Sequence, residues 1–200
     1  MSTTYYTPPI GPSGVGNNDY GERWGDALGN VEQTRRRGFV SENYRDTNTE
    51  VEFIKHNQVS YMDGAIQFDH DYILDSEIRL HVHHVPMANA SGDVRFEWQY
   101  TFAIPGHEVP AVASWTTGHT ILSLTAGDQY KHKADTLFTL TPSGAAPSSI
   151  LLFQVSRNTS HADDTYTTDK DHGTAAANLG ILYFDAHYRK GSPGTATEWV

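Results

Sequence analysis

Ile78-Arg79-Leu80-His81-Val82-His83-His84-Val85-Pro86 decides the fold class of this chain: Ile78, Leu80 and Val82 share one phase of a two-residue period, and Arg79, His81 and His83 share the other. Such alternation marks a half-buried β-strand. Just downstream, Val94, Phe96, Trp98, Tyr100 and Phe102 alternate with Arg95, Glu97 and Gln99. The connector Met87-Ala88-Asn89-Ala90-Ser91-Gly92-Asp93 is small, polar and turn-forming, so the two strands are expected to make a hairpin with a histidine-bearing face.

The same period predicts strands over residues 51–55, 58–62, 64–69, 76–85, 94–104, 120–126, 134–141, 150–157 and 179–189. Turn signals separate them at Asp63-Gly64, Ser91-Gly92, Pro105-Gly106, Gly127-Asp128 and Pro142-Ser143-Gly144. No amphipathic helix interrupts the series and no internal repeat suggests a propeller. The pattern is all-β, and an antiparallel jelly-roll sandwich is the most economical arrangement of about eight strands. Leu80, Val82, Phe96, Trp98 and Phe184 sit on apolar phases and are expected in the core.

Residues 1–50 read differently. They are rich in Gly and Pro, poor in aliphatics and without a sustained period, so they cannot offset their own ordering entropy. This predicts a largely irregular N-terminal docking arm preceding a sandwich domain over 51–200. Tyr5, Tyr6, Tyr20, Trp24 and Phe39 are its candidate anchors, with the basic run Arg35-Arg36-Arg37 as a protein-docking patch. A short helix is expected within 24–37, against the tendency of Gly25 and Gly29.

The chain has 200 residues, no cysteine and a net charge of −10 from 24 acidic and 14 basic side chains. Disulfides and thiolate metal sites are excluded. The negative field disfavours nucleic acid as a partner. No apolar run approaches the roughly 20 residues of a membrane span, and Met1-Ser2-Thr3-Thr4-Tyr5-Tyr6 lacks the features of a signal peptide, so a soluble product without a membrane partner is expected.

His81 and His83, two apart on a strand, point the same way, as two imidazoles do in the metal sites of cupin enzymes. The cupin glutamate is missing, because its window holds Pro86 and Met87. Near the C-terminus Tyr183, Asp185, His187 and Arg189 form another polar row. If the two strands are neighbours, Arg79, His81, His83, Asp185 and His187 make one face. That face is read first as an oligomer interface, and otherwise as solvated surface or as a metal position on a three-fold axis with His81, His83 and His187 as candidate ligands. No metal or cofactor is expected. Imidazoles beside carboxylates are expected to gain protons readily, giving a response between about pH 5 and 7. Asp169-Lys170-Asp171-His172-Gly173 reads as a solvated acidic loop. No nucleophile elbow or phosphate-binding glycine loop is present, and no enzymatic activity is expected.

Four motifs stand in fixed order: His81-Val82-His83-His84-Val85-Pro86, Phe96-Glu97-Trp98-Gln99-Tyr100, His161-Ala162-Asp163-Asp164-Thr165-Tyr166 and Phe184-Asp185-Ala186-His187-Tyr188. Together, over about residues 51–200, they resemble a group of small β-domains in virion proteins of tailed bacteriophages. His84 stands where that group has an aromatic. The resemblance implies a non-enzymatic structural protein with a trimerising jelly roll. Its expected place is the virion exterior, after assembly in the host cytoplasm. A capsid decoration or head-fibre protein is the leading expectation, its arm docked on the major capsid protein or another virion component. The alternative is a tail or neck appendage, or a receptor- or glycan-binding module that meets a host surface glycan through aromatics such as Trp115 or Trp199. A metal-dependent jelly-roll enzyme is the lesser alternative.

Overall fold

A computed structural model describes residues 23–29, 35–37, 39–43, 50–54, 59–142, 145, 148–167 and 178–191. They form eleven strands: β1 (Arg23–Gly29), β2 (Arg35–Arg37), β3 (Phe39–Asn43), β4 (Glu50–Ile54), β5 (Val59–Gln67), β6 (Ile78–Pro86), β7 (Gly92–Ala103), β8 (Thr116–Leu124), β9 (Lys133–Leu140), β10 (Ile150–Asn158) and β11 (Leu179–Lys190). Two short 3₁₀ turns are the helical elements among the described residues. No described helix is long and apolar enough to cross a membrane.

Strand order makes the chain a jelly roll. One sheet runs β3-β4-β11-β6-β9, with β1 pairing β11 beyond β4, and the other runs β2-β5-β10-β7-β8; all pairings are antiparallel. From β4 onward, successive strands alternate between sheets at every step except β7 to β8. The expected hairpin of β6 with β7 is therefore corrected: β6 pairs β9 and β11, whereas β7 pairs β8 and β10. The physical reason is that each strand has one apolar face. Placing them in opposite sheets turns those faces toward each other across the core.

Ile78, Leu80 and Val82 are fully buried, as are Phe96 and Phe184 at 1% and 2% exposure; Trp98 packs against this core while partly exposed. Asp63-Gly64, a turn signal by sequence, lies inside the continuous strand β5. A Cβ on Gly64 would fall 2.2 Å from Cζ of Phe153, so the glycine is there to admit that ring. Where a helix was expected within 24–37, the described residues of that stretch are instead the strands β1 and β2. Three strands before residue 50 thus join the two sheets. Tyr5, Tyr6, Tyr20, Trp199 and the acidic segment 169–173 lie outside the described residues.

Candidate functional site

Each sheet carries polar side chains on its outer face. On the first, the register of β6 with β11 sets His81 opposite Asp185, Arg79 opposite His187 and His83 opposite Tyr183, so the two rows expected from sequence meet. Asp185 is at the centre. Its Oδ1 lies 3.1 Å from Nε2 of His83, and its Oδ2 lies 3.0 Å from Nε2 of His187. The His81 and His187 rings are 4.0 Å apart, and Nε2 of His81 is buried without a hydrogen-bond partner.

Two further residues join that sequence reasoning missed. Nε2 of His132, in the loop before β9, lies 2.8 Å from Nδ1 of His83. Asp26 of β1 pairs in register with His187 and places Oδ1 3.2 Å from its Nε2. The ring of Tyr183 stacks on His83 at 4.0 Å. A neutral His83 that donates from Nε2 to Asp185 accepts at Nδ1 from His132, which fixes its tautomer. These contacts bury His83 and Asp185 to 9% and 4% exposure within one chain.

Burial also reverses an expectation. The pKa values of His81 and His83 are pushed below the ordinary histidine value, first by desolvation, which outweighs the attraction of Asp185. These imidazoles gain a proton less readily than an ordinary histidine, not more.

Arg79 stands apart from the cluster. It pairs with Glu77 at 2.5 Å and lies 4.7 Å from the Trp24 ring, over which Arg189 also sits at 4.3 Å. Trp24, a candidate arm anchor, thus packs on its own chain, although it remains 39% exposed. Arg35, Arg36 and Arg37 form β2 against β5, and Phe39 opens β3. His84 fills the inward phase of β6 with no exposure, and its Nε2 lies 2.8 Å from Asp135. It occupies its aromatic-like position by pairing one ring nitrogen with a carboxylate at the sheet edge.

The outer face of the second sheet forms an open cleft of about 390 Å³. Register stacks its side chains in rungs across four strands. Asp63, Gln154, Gln99 and Thr117 form one rung, and Tyr61, Ser156, Glu97 and His119 the next. Within the first, Gln99 Nε2 donates to Gln154 Oε1 at 2.8 Å, and Gln154 Nε2 donates to Asp63 Oδ1 at 2.5 Å. Arg95 closes one side, held by Glu97 at 3.4 Å and Asp163 at 2.8 Å. Trp98 and Gly118 border the floor, where Gly118 has no Cβ to collide with the indole. The polar phase of β7 already showed Arg95, Glu97 and Gln99 in alternation, the signal by which this cleft was findable. Trp115 is not part of it; its indole N–H donates to the carbonyl of Pro110 at 3.2 Å.

No protein-family model and no curated protein matches the chain. Among solved structures it is similar to a family 35 carbohydrate-binding module from Clostridium thermocellum, with 6% identity, 81% of this chain and 97% of that one covered, and a TM-score of 0.42. It is also similar to a xylan-binding family 22 module from Paenibacillus barcinonensis, with 10% identity, 84% and 94% coverage and a TM-score of 0.40. A family 6 module of a laminarinase from Zobellia galactanivorans gives 9% identity, 83% and 99% coverage and a TM-score of 0.38.

Proposed function

We propose that this chain is a non-enzymatic binding module that takes a neutral glycan in the cleft of the second sheet. The observation that carries this reading is the Asp63-Gln154-Gln99 rung, whose amides are already ordered by one another. Sugar hydroxyls donate and accept at once, and a carboxamide offers both functions on one planar group. Because the rung is pre-ordered, little side-chain entropy is lost on binding. Adjacent strands lie about 4.8 Å apart, comparable with one pyranose ring, so an extended glycan laid across β5, β10, β7 and β8 meets one strand per sugar. Tyr61 adds an aromatic side chain at the lining. The balance of Arg95 against Asp63 and Glu97, in a chain of net charge −10, favours a neutral ligand over a polyanion.

Affinity electrophoresis of the whole chain through gels cast with neutral polysaccharides tests this. At least one should retard the wild type, and the Gln99→Ala, Gln154→Ala double variant should run as in a blank gel. Absence of retardation by every polysaccharide, or equal retardation of the variant, overturns the proposal.

A second reading sets the module on a phage particle, as a trimeric decoration, head-fibre or tail appendage. It is supported by the four ordered motifs. Copy number in purified particles tests it and separates abundant decoration from sparse appendage.

A further inference from the structure

We infer that His81, Asp185 and His187 form a binding site for an imidazole-preferring transition-metal ion, zinc foremost, on the outer face of the six-stranded sheet. The ligand atoms of these three side chains all lie within 4.8 Å of one another, and among the described residues they are the one such group. A metal held about 2.0–2.2 Å from each would draw these atoms closer together.

Two independent observations point to a ligand. Nε2 of His81 is buried with no hydrogen-bond partner, an arrangement that costs free energy unless something accepts its lone pair. Asp185 is already oriented as a metal-binding carboxylate is. Its Oδ1 is held by His83, itself held by His132, while Oδ2 is turned to His187. Outer hydrogen bonds of this kind fix a ligand's direction. Two imidazoles and one carboxylate suit zinc, iron, nickel or copper rather than calcium or magnesium. Asp26, 63% exposed and 3.2 Å from His187, borders the site from β1, and the exposure of His187 and Asp26 gives an entry path. One chain supplies the whole set, so no symmetry axis is required.

The whole chain, stripped with a chelator and dialysed, is titrated with Zn²⁺ by calorimetry and with Co²⁺ by visible absorption. One saturable ion per chain is expected, with Co²⁺ ligand-field bands that Zn²⁺ removes. His81→Ala breaks no hydrogen bond among the described residues and should lose the saturable site; Asp185→Asn, which keeps the side-chain volume, should do the same. His83→Phe should weaken binding roughly ten- to hundredfold. His107→Ala, in an exposed loop, should titrate like wild type. A wild type without a saturable site, or a His81→Ala chain that titrates like wild type, overturns the inference, and circular dichroism of each variant establishes that it is folded.

Discussion

Arg157 and Asp164 face each other in a two-bond ion pair with both side chains wholly excluded from solvent. Arg157 Nε and Nη2 donate to Asp164 Oδ2 and Oδ1, each at 2.7 Å, and Oδ2 also accepts from the backbone N–H of Arg95 at 3.2 Å. The pair ties the end of β10 to the segment after it and to β7. Asp164→Ala leaves a buried guanidinium without its carboxylate and should cost about 3–5 kcal/mol. Replacing both, Arg157→Met with Asp164→Leu, should cost less than the single change. Urea unfolding of the three chains decides, and a single variant as stable as wild type would show that the pair is solvated.

Gly64 and Phe153 make a second prediction. A methyl group on Gly64 would meet the ring at 2.2 to 2.8 Å. Gly64→Ala should destabilise by roughly 1–3 kcal/mol through overpacking. Phe153→Leu in the same chain should relieve part of that loss, and strictly additive losses would count against this contact as the cause.

Acid stability should depend on Asp135. Its hydrogen bond from His84 holds the carboxyl below the ordinary value of 3.8, despite opposing desolvation. The unfolded chain then takes up this proton first as pH falls. The stabilisation is complete above about pH 4 to 5 and is lost as pH falls through the folded-state pKa. Melting temperatures of wild type should drop more steeply between about pH 5 and 3 than those of Asp135→Asn, and parallel curves would remove the argument.

Tyr166→Phe tests how the loop between β6 and β7 is held. The hydroxyl accepts from the N–H of Ala88 and donates to its carbonyl, and the ring has no exposure. Losing both bonds should cost about 1–3 kcal/mol and raise hydrogen exchange at Ala88. Unchanged exchange there would mean that the loop is held by other contacts.

Period-two alternation carried most of the fold: β6, β7, β10 and β11 were legible because apolar and polar side chains alternate along much of each. Alternation describes a single strand's two sides and is silent on which sheet receives it, so β6 and β7 read as a hairpin. Asp63-Gly64 misled for a related reason, since a glycine placed to admit Phe153 looks like a turn until the ring is in view. At the first outer face, His81, His83, Asp185 and His187 were legible as complementary rows. His132 and Asp26 were not, because one lies in a loop and the other on a glycine-flanked strand without alternation. The direction of the histidine shifts was illegible too: sequence shows a carboxylate nearby, whereas desolvation depends on burial in the folded sheet, as where Tyr183 and His132 pack on His83.

The place of β11 has a consequence for how the molecule comes into being. It is the last described strand in sequence, yet it lies inside its sheet, paired to β6 on one edge and to β4 and β1 on the other. During synthesis the backbone edges of those three strands stay open until residues 179–190 have left the ribosome, exposed to pairing with other chains. Sheet closure is therefore a late event bridging distant parts of the chain, and such closure is slow. The histidine cluster, split between β6 and β11, cannot assemble before that moment.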